Sequence, residues 1–109
     1  MYYVYVIDLR KLVGFEWDAG NVDKNYKKHG ITVKEAETVF LDKDLQVEPD
    51  FRHQEREKRY IAIGHAQEQK VLFVIFTIRN TKVRIISARI ASKKERGLYE
   101  KNVAKNSKV

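Results

Sequence analysis

KVLFVIFTIRNTKVRIISARIA, residues 70–91, decides the fold. Two runs of β-branched and aromatic residues flank Asn80 and Thr81, which predicts a pair of antiparallel strands joined by a two-residue hairpin loop. Such a loop sets the register: Arg79 faces Lys82, Thr77 faces Arg84 and Ile75 faces Ile86, and opposed residues share a face. Thr77, Arg79, Lys82 and Arg84 then gather at one end of one sheet face. The other face carries Val74, Phe76, Ile78, Val83 and Ile85, the surface a sheet offers to helices. On this register Ser87 and Arg89 fall on the apolar face near its far end. A guanidinium there needs an acceptor, and Glu95 or Glu100 of the following segment can supply it.

Working outward, KRYIAIGHA at 58–66 and LQVEPD at 45–50 read as two further strands, with FRHQERE at 51–57 a polar loop between them. The strand near residue 60 has two registers. A six-residue connection, 65–70, puts Lys58 and Tyr60 beside Thr77, Arg79 and Arg84, whereas a five-residue connection puts Arg59 there. ITVKEAETVFLD at 31–42 has Thr32 followed three residues later by Glu35, a capping box, and Val33, Ala36, Val39 and Phe40 at helical spacing. Asp18 or Asn21 can cap an earlier helix over about 21–29 that Gly30 ends. The aromatic residues 2–7 suggest an edge strand, and FEWD at 15–18 a second short strand or turn. Ser92 and Glu95 form the capping box of a last helix, 93–102, and residues 103–109 read as a flexible tail. The pattern predicts an α+β fold: an antiparallel β-meander packed with N-terminal helices and a C-terminal helix.

The chain has 109 residues, 43% of them apolar, enough for one core and too few for two ordinary domains. Lys and Arg number 22 against 15 Asp and Glu, and the resulting +7 favours polyanions or an acidic protein partner. No cysteine is present, which removes disulfide and thiolate chemistry and fits a reducing cytoplasm. No apolar run has the length of a signal peptide core or a membrane span, so a soluble protein is expected, with no membrane partner. His29, His53 and His65 lack metal-ligand spacing, and the glycines are scattered singly. No metal, nucleotide-binding loop or other cofactor is predicted.

FEWD, NYKKHGI, EAETVF, EKRYIAIG, RIISARIAS and KKERGLYE follow one another in an order and spacing that resembles the BrnT family of bacterial type II toxins, over about residues 15–100. The resemblance implies a RelE-like fold, ribonuclease activity that inhibits translation, and a cognate BrnA-like antitoxin with a ribbon-helix-helix domain. A higher-order toxin–antitoxin assembly is a further expectation. The chain departs from the family pattern by a longer start, residues 1–14, and by Asn21 where lysine is more frequent.

Metal-independent RNA cleavage needs a base for the 2′-hydroxyl, cations for the charge on the phosphorane and an acid for the departing 5′-oxygen. Arg79 and Arg84 are the candidate phosphate clamps, because guanidinium forks bind phosphate oxygens bidentately. His29 and Glu57 are the candidate bases, and Tyr99 can stack on a base or donate a proton. Lys28, Lys58, Arg59, Tyr60, Lys82 and Arg89 complete the candidate RNA-binding set. Six of these have a plainer reading: His29 caps a helix end, Glu57 is a solvated loop charge, Tyr99 packs on the sheet, Arg89 is a structural ion-pair partner, and Arg79 and Arg84 merely solvate a hairpin end, although clustering cations on one face costs repulsion and favours the functional reading of that pair. Two functions follow, an endoribonuclease toxin or a non-catalytic basic module that binds RNA or protein.

Overall fold

The structure, a computed structural model, describes residues 2–3, 14–17, 20, 24, 28–52, 57–66 and 69–106. Its strands are β1 (Tyr2–Tyr3), β2 (Gly14–Trp17), β3 (Gln46–Pro49), β4 (Tyr60–His65), β5 (Val71–Arg79) and β6 (Lys82–Ile90). Helix α1 (Val33–Thr38) runs into a 3-10 turn, Val39–Leu41, and helix α2 (Lys93–Asn106) follows β6 directly. The sheet order is β1-β3-β4-β5-β6-β2. β3 to β6 pair antiparallel in chain order, while β1 and β2 join the two edges in parallel. The sheet is therefore mixed, because the N-terminal segments add to edges that the hairpins leave open.

The hairpin forms as the sequence predicts. Asn80 and Thr81 take φ of 50° and 65°, the left-handed pair of a tight hairpin turn, and Arg79 lies opposite Lys82, with Thr77 opposite Arg84. Beyond that the register changes. Ile75 faces Ser87 and Phe76 faces Ile85, so Ile86 is the extra residue of a β-bulge and the expected Ile75–Ile86 pairing does not occur. One inserted residue reverses the alternation beyond it. Ala88, rather than Ser87, is consequently the buried residue opposite Val74, and Ser87 and Arg89 move to the side that carries Arg84.

The core lies on the face defined by Leu72, Val74, Phe76, Val83, Ile85, Ala88 and Ala62, all buried. Helix α1 and its 3-10 turn cover it. Thr32 caps α1 reciprocally with Glu35, whose backbone N–H donates to the Thr32 hydroxyl at 3.1 Å while the Thr32 N–H donates to its carboxylate at 3.3 Å. In so short a helix the cap matters: Thr32→Ala is expected to lower stability by about 1 kcal/mol, read from urea unfolding. The 3-10 turn puts Val39 against β4 so closely that a Cβ on Gly64 would lie 2.9 Å from Val39 Cγ1 and 3.2 Å from its carbonyl oxygen. Gly64 thus lies within a strand, at a close backbone approach, rather than in a turn. Gly30, at φ +68°, ends the helical residues Lys28 and His29 as a left-handed C′ glycine. The caps expected at Asp18 and Asn21 lie outside the described residues.

Helix α2 packs on the opposite face at its far end, burying Tyr99 with Val71 and Ala91 and packing against Ile63. It continues to Asn106, so residues 103–106 belong to the helix and not to a frayed tail. Among the described residues no helix is long and apolar enough to cross a membrane.

Candidate active site

Arg84, Arg79 and Lys82 meet at one end of the sheet, on the face that α2 leaves open. Each arginine there has a carboxylate partner. Arg79 donates through Nε and Nη2 to Glu57 Oε2, at 3.3 and 3.1 Å. Arg84 Nη1 donates to Glu16 Oε1 at 3.1 Å. Lys82 is exposed opposite Arg79, and Gly14 lies beside it on the other flank. The segment before β4 is fixed to this end by Thr77, buried at 2% exposure, whose hydroxyl donates to the Lys58 carbonyl at 2.7 Å. That bond carries Glu57 next to Arg79.

The connection between β4 and β5 has five residues, 66–70, and Tyr60 is paired with Phe76. Tyr60 therefore lies on the core face, its ring 5.5 Å from that of Phe76, and not beside the arginines. The same alternation makes Arg59 rather than Lys58 the residue sharing the arginine side. Lys58 itself is exposed and contributes its carbonyl to Thr77.

Two candidates stand elsewhere. Arg89 is closed on Glu95 by two bonds, Nη1–Oε1 at 2.8 Å and Nη2–Oε2 at 2.9 Å, with its guanidinium carbon 4.0 Å from the centre of the Phe73 ring. Its fork is committed to fastening β6 to the start of α2. Tyr99 is buried and its hydroxyl donates to Asp42 Oδ2, which also accepts from the His65 N–H at 2.8 Å. Burial and the Asp42 carboxylate both push its phenol up, away from any role as an acid. Tyr99 packs on Val71, six residues along β5 from Thr77, which at a strand's rise is on the order of 20 Å from the arginine end. Distance and environment both make Tyr99 a packing residue. His29 closes the first helical segment half-buried, and Lys28 beside it is exposed. No hydrogen bond among the described residues links either to the arginine end. His53 lies outside the described residues.

Glu95 carries a pH signature. The Arg89 hydrogen bonds, outweighing partial burial and helped by the Ser92 N–H, pull its carboxyl from 4.5 down to about 2. A carboxyl depressed by folding stabilises the fold above its unfolded pKa, and that contribution fades as pH falls from about 4.5 to about 2. Glu95→Gln is expected to flatten the loss of thermal stability across that window and to leave slopes above pH 6 unchanged.

Sequence reasoning missed Glu16. Its signal was the alternation Phe15, Glu16, Trp17: the rings point to the core, Phe15 5.5 Å from Phe40 and Trp17 donating to Glu37 at 3.3 Å, so the carboxylate between them points to the other face. Among the described residues no group of three His, Asp or Glu side chains is placed to hold a metal ion.

With this geometry in view, residues 17–95 match the family model for BrnT, the ribonuclease toxin of type II toxin–antitoxin systems. The chain belongs to the BrnT family. A 1.1 Å crystal structure of the Brucella abortus ribonuclease toxin BrnT superposes on it with a TM-score of 0.57 and 25% identity, covering 73% of this chain and 97% of that one. No curated protein matches the sequence. As a BrnT-family chain, the protein is a type II toxin with a ribonuclease's α+β scaffold and an antitoxin as its family partner.

Proposed function

We propose that the chain cleaves RNA without a metal at the Arg79–Arg84 end of the sheet, and that this cleavage inhibits translation. The observation that carries the reading is the pairing of Arg79 with Glu57 at 3.1 Å: a phosphate-binding group and a proton acceptor side by side, next to Arg84. The pair is of the exposed kind, Arg79 being 47% exposed, and such pairs are worth about 0–1 kcal/mol. An RNA phosphate can therefore take the guanidinium from Glu57.

In this reading Glu57, released, accepts the 2′-hydroxyl proton. The 2′-oxygen forms a bond to phosphorus, the bond from phosphorus to the 5′-oxygen breaks, and that oxygen takes a proton from water. Arg79 and Arg84 hold the non-bridging oxygens as their charge grows. Lys82 and Arg59 add attraction for the flanking phosphates. The partner is read as a BrnA-like ribbon-helix-helix antitoxin, whose acidic groups would cover the same cations and exclude substrate by occupancy and charge. The RelE-like relationship of the scaffold is part of the same proposal.

Partner-free protein incubated with labelled total RNA in excess EDTA is expected to cleave it. Cleavage that appears only with added Mg²⁺ would overturn the metal-independent route. RNA retained on the protein but left intact would favour a binding module.

A further inference from the structure

We infer that Glu16 is a positioning residue for Arg84, so that the edge strand β2 completes the active end of the sheet. The inference rests on the ribonuclease reading of that end. Its basis is the parallel register of β2 and β6, which sets Glu16 directly beside Arg84 and on the same face. The ring contacts of Phe15 and the indole bond of Trp17 fix the strand from the core side, leaving Glu16 no other direction. The contact is made through one nitrogen, Nη1, at 3.1 Å.

The two side chains differ in exposure. Arg84 is 20% exposed and Glu16 39%, so the guanidinium sits in the sheet surface while the carboxylate stands at its rim. A long, flexible side chain in such a place loses fewer rotamers on binding a phosphate if a neighbour already fixes its direction. A bare negative charge beside the phosphate path would otherwise only repel RNA.

The two effects of a carboxylate, aiming Arg84 and repelling RNA, separate in kinetics. Glu16→Ala is expected to lower kcat at least tenfold with KM within about twofold of the parent. Glu16→Gln, whose amide oxygen can still accept from Nη1, is expected to keep kcat within about threefold. Combining Glu16→Ala with Arg84→Ala should cost no more than Arg84→Ala alone, since an aim is worthless without the group aimed. A second readout needs no substrate: the Arg84 side-chain ¹⁵N relaxation should show a more mobile guanidinium in Glu16→Ala than in the parent, with unchanged circular dichroism. A lower KM at unaltered kcat, or losses from the two substitutions that multiply, would overturn the inference. If the parent leaves RNA intact, the ribonuclease reading fails, and the relaxation data alone then decide whether Glu16 orders Arg84.

Discussion

Arg84→Ala is expected to reduce RNA cleavage about 10²–10³-fold, the scale on which removing one preorganised donor from a developing oxyanion acts. The residue is half-buried between Thr77 and Glu16 on adjacent strands, so its guanidinium is held where a phosphate on the open face can meet it. Folding does not depend on it in the same degree, because the opposite face of β6, with Val83 and Ile85, carries the packing. Circular dichroism and the thermal midpoint should accordingly stay close to the parent. Arg84→Lys keeps the charge but loses the planar fork, and should recover only a small part of the activity. An unimpaired Arg84→Ala enzyme would move the reaction centre away from this end.

Phe76→Ala is expected to cost about 3–5 kcal/mol, the range for deleting a fully buried aromatic ring. Phe76 is wholly buried, meets the Phe40 ring edge-on at 5.1 Å and lies 5.5 Å from Tyr60. It therefore joins the 3-10 turn after α1 to the centre of the sheet. At roughly 4 °C per kcal/mol for a domain of this size, the midpoint should fall by about 12–20 °C. Phe76→Leu, which refills much of the volume, should lose less than half as much. A fall of only a few degrees for the alanine variant would contradict the packing of α1 on this face.

Much of this fold is written in short-range signals. Thr32 with Glu35 and Ser92 with Glu95 both form the capping boxes that their spacing announces. Asn80 and Thr81 set the hairpin, and with it the meeting of Arg79, Lys82 and Arg84. The bulge at Ile86 was not legible, because IISA offers the same apolar choice on either register and only tertiary packing of Ala88 against the core selects one. That single residue explains why Arg89 was assigned to the wrong face, although its acceptor, Glu95, was among the two expected. The parallel pairing of β2 with β6 has no local signal either: the residues it joins are 68 apart in sequence. Tyr60 was undecided for the same reason, since a connection of five or six residues flips its face.

The most direct test uses RNA whose 2′-hydroxyls are methylated, which keeps the phosphates but lacks the attacking group. Titrated into the protein and followed through the arginine Nε–Hε resonances, it should move the signals of Arg79 and Arg84 together and leave Arg89, locked to Glu95, where it was. Movement of Arg89 with Arg79 and Arg84 unmoved would place RNA on another surface and contradict the assignment of the active end.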